Sequence, residues 1–134
     1  KQDISRAVSL LVSASNKGNA QAKNNLGVLY KRGVFINKDE KAAFELFKEA
    51  ANEGNSFGLL HYAMCLMKGR GVELNQSLAL TSLRKARELG VPRASYILGL
   101  YYLNSDPKGE TEGMKLIREA ANLGYKKAKI IIEL

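Results

Sequence analysis

A period of 36 residues runs through the chain and constrains its fold more than any other feature. The period is marked by glycines, which are Gly18, Gly54, Gly90 and, after a shorter interval of 34 residues, Gly124. An alanine column keeps the same spacing and comprises Ala14, Ala50, Ala86 and Ala120. A period of this length predicts one supersecondary unit per repeat, and each unit buries its apolar face only by stacking on its neighbours.

Each period contains two helical patterns separated by a turn. In the first complete repeat, apolar residues at helical spacing predict a first helix over 20–32 and a second helix over 40–53. Gly33 begins the turn, and Asp39 is of a type that caps the following helix. Gly27 lies inside the first helix, where its small size would let a neighbouring helix approach closely. The pattern predicts an all-α protein of about eight antiparallel helices.

The repeat register predicts a single domain over residues 1–134. Its parts are a half repeat at 1–18, full repeats at 19–54, 55–90 and 91–124, and a half repeat at 125–134. Because the chain starts and ends partway through a repeat, we expect it to be a fragment of a longer protein. In the later repeats, Asn75 and Asp106 are the matching caps, and Pro107 follows the second of them as a first helical residue.

The half repeats leave two apolar faces that the pattern itself does not cover. One face carries Ala7, Leu10 and Leu11, and the other lies within 130–134. Uncapped ends of stacked repeats tend to pack on other molecules. The sequence therefore predicts self-association through the ends.

These columns resemble those of the Sel1-like repeat (SLR) family, a longer relative of the tetratricopeptide repeat. The motif in the first complete repeat reads Ala22, Leu26-Gly27, Tyr30, Gly33, Asp39, Ala50-Ala51 and Gly54. The second repeat departs from it, with Tyr62-Ala63 in place of leucine-glycine. The resemblance implies a right-handed α-α superhelix, or solenoid, whose first helices line a concave surface. It also implies the role of an adaptor that assembles protein complexes.

The chain lacks the residue sets from which common catalytic and metal sites are built. His61 is the only histidine and Cys65 the only cysteine, so there is no credible zinc set. The sequence also contains no Ser-His-acid triad with a recognisable nucleophile elbow. We expect Cys65 to be a small buried residue and His61 to be structural or to touch a partner. The sequence thus predicts no enzyme, no cofactor and no metal ion.

The first helix of the second repeat is apolar on almost every side. By analogy with tetratricopeptide geometry, its residues Phe57, Leu60, Met64 and Met67 would face the concave groove and bind a partner. The alternative is that they are core. On the groove interpretation, Leu60→Asp or Met64→Asp abolishes binding without unfolding. The predicted partner-binding residues are Asn24, Val28, Lys31, Phe57, Leu60, His61, Met64, Met67, Lys68, Arg93, Tyr96 and Leu100.

The net charge of +8, from 21 basic and 13 acidic residues, favours an acidic partner. The predicted ligand is therefore a peptide or helix with apolar anchors and acidic flanks. Binding of nucleic acid or another polyanion is the alternative, although the basic residues form no single stripe. A third possibility is a regulatory domain of a larger enzyme. No apolar run approaches the roughly 20 residues of a membrane span, and the sequence indicates no compartment.

Overall fold

A computed structural model describes residues 2–105 and 109–134. Within these residues the chain forms eight α-helices and no strand, which confirms the all-α prediction. The helices are α1 (Gln2–Asn16), α2 (Ala20–Arg32), α3 (Glu40–Asn52), α4 (Ser56–Lys68), α5 (Gln76–Glu88), α6 (Pro92–Ser105), α7 (Gly109–Asn122) and α8 (Lys126–Glu133). The predicted cap and helix start at Asp106 and Pro107 lie outside the described residues.

The helices pack into two units, Lys1–Ala79 and Leu80–Leu134. In the first unit, α2 packs on α1 and α3, α4 packs on α3, and α2 also contacts α4. In the second unit, α7 packs on both α6 and α8. Neighbours in sequence are thus neighbours in space, as a helical repeat fold requires.

Polar side chains fix the starts of the helices. Asp39 Oδ1 accepts a hydrogen bond of 3.0 Å from the backbone N–H three residues on, and Asn75 Oδ1 accepts one of 3.1 Å. Both predicted caps are therefore confirmed. Asn19 and Asn55 cap α2 and α4 in the same way, at 2.8 and 2.7 Å. Sequence analysis did not single them out, although asparagine directly before an apolar helix is a capping signal.

Small residues allow the two helices of a repeat to touch, as predicted for Gly27. A Cβ atom built on Gly27 would lie 2.6 Å from the Phe47 ring, and one built on Gly99 would lie 2.7 Å from the Ile117 side chain. Phe47 and Ile117 are both fully buried. The glycine column therefore lets a large side chain of the second helix fill the space beside the first helix.

A bidentate ion pair supports the second unit. Arg87 donates from Nε and Nη2 to the two carboxylate oxygens of Glu119, at 2.7 and 2.9 Å. Ser95 Oγ donates to the same carboxylate at 2.7 Å. The hydrogen bonds from Arg87, and then that from Ser95, hold the pKa of Glu119 below its usual value. Because the ion pair is partly exposed, solvent limits its contribution to stability.

The turn between α4 and α5 is held against α3 at Gly71. Gly71 has φ +74°, and a Cβ atom there would overlap the carbonyl oxygen of Glu40. Gly54 has a similar φ of +89°, but no heavy atom lies within 4 Å of its Cβ position. A substitution at Gly54 therefore measures the cost of the left-handed backbone alone, and one at Gly71 adds the cost of the steric clash.

We expect Gly71→Ala to lower the free energy of unfolding by about 2–4 kcal/mol, because a strained backbone and a clash add up. The control Gly54→Ala should cost about 1 kcal/mol, the backbone term alone. Urea unfolding followed by circular dichroism measures both. Equal losses in the two variants would show that the turn moves away from α3 without cost.

Candidate functional site

The predicted partner-binding residues fall into two sets. Nine of the twelve lie on α2 and α4 in the first unit, and the other three, Arg93, Tyr96 and Leu100, lie on α6 in the second unit. Because α2 and α4 contact each other, the nine residues come from neighbouring helices. The structure therefore brings most of the predicted residues together within one unit.

Two of the nine are core residues, contrary to the groove interpretation. Leu60 is 2% exposed and Met64 is 8% exposed, so neither side chain is available as an anchor for a partner. The physical reason is that α4 is apolar on nearly all sides and buries nearly all sides. The expectation of an open groove at these two residues is corrected to the core alternative.

Asn24 and His61 form a polar contact between α2 and α4. Asn24 is buried, and its Oδ1 lies 2.9 Å from Nδ1 of His61. The His61 ring also stacks on Phe47, with ring centroids 4.8 Å apart. Asn24 is therefore satisfied inside the fold, and His61 has a structural role, since its ring contributes both to this hydrogen bond and to the core.

The remaining five residues of the first unit keep some exposure, and we call them the α2–α4 surface. They are Val28, Lys31, Phe57, Met67 and Lys68. Phe57 is 51% exposed, whereas Val28 and Met67 pack partly on the core. An exposed phenylalanine in a helix whose other apolar residues are mostly buried is the strongest anchor candidate in this set.

Three cations converge at the carboxyl-terminal end of α4. Lys31, Lys68 and Arg70 line the same small cavity. Met64 and Cys65 contribute the rest of its lining. Arg70 was absent from the predicted set, although it follows Lys68 by two residues in the sequence. The arrangement gives the α2–α4 surface a basic margin that would attract a carboxylate.

Cys65 has the predicted role of a buried residue. Burial raises the pKa of its thiol, and the nearby positive charge of Lys31 opposes that effect only in part. A buried thiol with a raised pKa is a poor nucleophile. Among the described residues, no three His, Cys, Asp or Glu side chains are grouped so that they could hold a metal ion.

In the second unit, Arg93, Tyr96 and Leu100 are all partly exposed. Tyr96 and Leu100 also pack on the core cluster around Ile117, and the Tyr96 ring lies 5.0 Å from that of Tyr125. These two side chains therefore have a structural contact on one side and solvent on the other.

The two ends of the repeat array carry the exposed apolar residues that the sequence predicted. Leu10 on α1 is exposed. Ala7 and Leu11 of the same helix line a cavity of about 170 Å³, whose lining is apolar and comes from α1, α2 and the turn that follows α2. Ile130 and Ile132 on α8 are also exposed. Self-association through these faces stays a prediction. Within the described part of the chain, no helix is both long and apolar enough to span a membrane.

The comparison with protein families decides what kind of chain this is. The model of the Sel1 repeat matches residues 1–19, 20–55, 56–91 and 92–125. The chain belongs to the Sel1 repeat family. The matched segments agree within one residue with the three full repeats predicted from the glycine period, and the resemblance drawn from the motif is confirmed.

Named relatives of this Sel1 repeat chain include regulators and a binding protein. It is 36% identical over 85 residues to the "DAP3-binding cell death enhancer 1" of Rattus norvegicus. The aligned segment covers 63% of this chain and 16% of the relative. It is 31% identical over 126 residues to the "Chitin synthase regulator SKT5" of Saccharomyces cerevisiae, covering 90% of this chain and 18% of the relative. The chain thus spans less than a fifth of the length of either relative.

Solved structures of Sel1 repeat proteins share the fold. A protective antigen from uropathogenic Escherichia coli, with an SLR fold, matches with a TM-score of 0.80 and 28% identity, over 90% of this chain and 26% of that one. A Sel1 repeat protein from Oxalobacter formigenes matches with a TM-score of 0.76 and 23% identity, over 90% of this chain and 57% of that one. These likenesses support an all-α helical repeat fold.

The burial of Leu60 predicts that Leu60→Asp unfolds the first unit. An unpaired carboxylate in the core lowers the free energy of unfolding by about 3 kcal/mol or more. The matched control is Phe57→Asp, one helical turn earlier, which places the same carboxylate at an exposed site and should keep the helical signal. Thermal melts by circular dichroism distinguish the two variants. A folded Leu60→Asp protein would restore the groove interpretation.

Proposed function

We propose that this chain is a non-enzymatic protein-interaction module that binds a peptide or helix of a partner protein. Membership of the Sel1 repeat family supports the proposal. The names of its relatives, a regulator of chitin synthase and a protein that binds DAP3, also describe proteins that act through other proteins. The single histidine and the single cysteine are both engaged in the fold, which supports a non-enzymatic role.

The α2–α4 surface is the part of the first unit on which we place the partner. Phe57 supplies an exposed aromatic anchor, and Met67 supplies an adaptable apolar contact beside the core. Lys31, Lys68 and Arg70 lie at its margin. This combination suits a segment that carries apolar anchors and acidic flanking residues, because the cations would speed its approach and set its orientation.

Arg93, Tyr96 and Leu100 form the corresponding set in the second unit, and we propose that they contact the partner independently of the first set. Each has a partly exposed side chain. An arginine beside a tyrosine is a frequent composition of interface hot spots.

The relatives suggest the setting in which such a module acts. This chain spans less than a fifth of the chitin synthase regulator and of the DAP3-binding protein. A binding module inside a longer regulatory protein is the arrangement we propose for it, and the regulatory-domain hypothesis is one form of that arrangement.

The test is a binding measurement on variants that stay folded. Proteins captured from nuclease-treated extract by the wild-type chain are purified, and their dissociation constants are measured by calorimetry. We expect Phe57→Asp/Lys68→Glu to weaken binding at least about tenfold. The control Lys115→Glu changes one basic residue to an acidic one on α7 and should leave the affinity unchanged.

Two outcomes would count against this proposal. Equal affinity of the wild type and Phe57→Asp/Lys68→Glu would remove the α2–α4 surface from the interface. If the only ligand recovered without nuclease is nucleic acid, and its affinity falls steeply with salt, the chain is a polyanion binder instead.

A further inference from the structure

The first unit also has a cleft that is separate from the α2–α4 surface and from the two cavities described above. It has a volume of about 440 Å³ and opens between α3, α4 and the turn that leads into α5. Its floor is formed by the buried residues Phe44 and Leu66. Leu74 and Leu78 stand at its rim, 56% and 39% exposed. The volume is in the range of ligand sites, about 300–1,000 Å³, and no residue of the α2–α4 surface lines the cleft.

The cleft opens beside a position where the repeats differ. Leu66 belongs to a column that contains tyrosine in the repeats before and after it, at Tyr30 and Tyr102. Leucine is shorter than tyrosine and has no hydroxyl group. The second repeat therefore lacks a phenol at a position where its neighbours have one.

The second unit shows what such a phenol does in this fold. Tyr102 OH accepts a hydrogen bond of 2.7 Å from Nη2 of Arg84 on the preceding helix. Arg84 stands 36 residues after Lys48, and Lys48 lines the cleft together with Leu66. The first unit thus has the cation of this pair but not its acceptor. Within the described residues, Lys48 forms no hydrogen bond or ion pair.

An aromatic residue nearby does not close the cleft. Tyr62 stands where the next repeat has Leu98, but its ring stacks on Phe44 with centroids 5.4 Å apart. The Tyr62 ring is therefore one wall of the cleft and presents a flat apolar surface. A second aromatic ring packed against such a wall is stabilised beyond simple burial.

We propose that this cleft binds the side chain of a tyrosine from a partner protein. The guest ring lies against Leu66 and Tyr62, and its hydroxyl oxygen accepts a hydrogen bond from Nζ of Lys48, as Tyr102 does from Arg84. Leu74 and Leu78 contact the residues that flank the guest.

The probe is N-acetyltyrosinamide, titrated into the ¹⁵N-labelled chain and followed by amide chemical shifts. We expect saturable shifts centred on residues 62–78, with a dissociation constant on the order of 1 mM. N-acetylphenylalaninamide, which lacks only the hydroxyl group, should bind about fivefold more weakly.

Two variants test the pairing itself. Lys48→Met keeps the length of the side chain but removes the donor, so it should abolish the preference for tyrosine over phenylalanine. Leu66→Tyr restores the tyrosine column and should fill the cleft, which abolishes binding of both probes. If Leu66→Tyr does not fold, Leu78→Asp at the exposed rim provides the same loss of binding.

Phe57→Asp/Lys68→Glu separates this site from the α2–α4 surface, because it should leave binding of the tyrosine probe unchanged. The proposal is overturned if the tyrosine probe shifts no amide in 62–78 at ten times the expected dissociation constant. It is also overturned if tyrosine and phenylalanine probes bind equally to the wild type, or if Lys48→Met retains the preference.

Discussion

Close contact between the paired helices of each repeat is the constraint on which the rest of this structure depends. The Phe47 ring and the Ile117 side chain occupy space beside Gly27 and Gly99 that a Cβ atom would take. Both large residues are fully buried, so each contact lies within a core. A side chain at Gly27 or Gly99 would separate the two helices of that repeat and open a void along their length, which a small repeat unit has little stability to offset.

The same demand for burial determines which residues are left for binding. α4 buries Leu60 and Met64 along with its inward stripe, and Asn24 and His61 satisfy each other between α2 and α4. On the α2–α4 surface, the strongly exposed apolar residue is Phe57, with Val28 and Met67 partly exposed. A group of cations lies at the carboxyl-terminal end of α4. An interface built on such residues relies on a few anchors and on charge rather than on a large apolar groove.

In a periodic fold, the positions at which one repeat differs from the others are the candidates for a function specific to this protein. Columns such as the capping Asp39 and Asn75, or the small residues Gly27, Ala63 and Gly99, maintain the architecture from one repeat to the next. The exchange of tyrosine for leucine at Leu66 leaves the packing intact but coincides with an open cleft next to Lys48. A repeat that departs from its neighbours while keeping its fold can therefore present a different surface.

The sequence by itself determined the helices, their approximate ends, the caps at Asp39 and Asn75, the burial of Cys65 and the family, because these follow from local spacing and from a repeated period. Only the tertiary structure decided the roles of Leu60, Met64 and Asn24. A helix that is apolar on nearly every side has no periodic signal to show which side meets solvent. The Asn24–His61 contact joins residues 37 positions apart, and their pairing depends on how α2 and α4 pack.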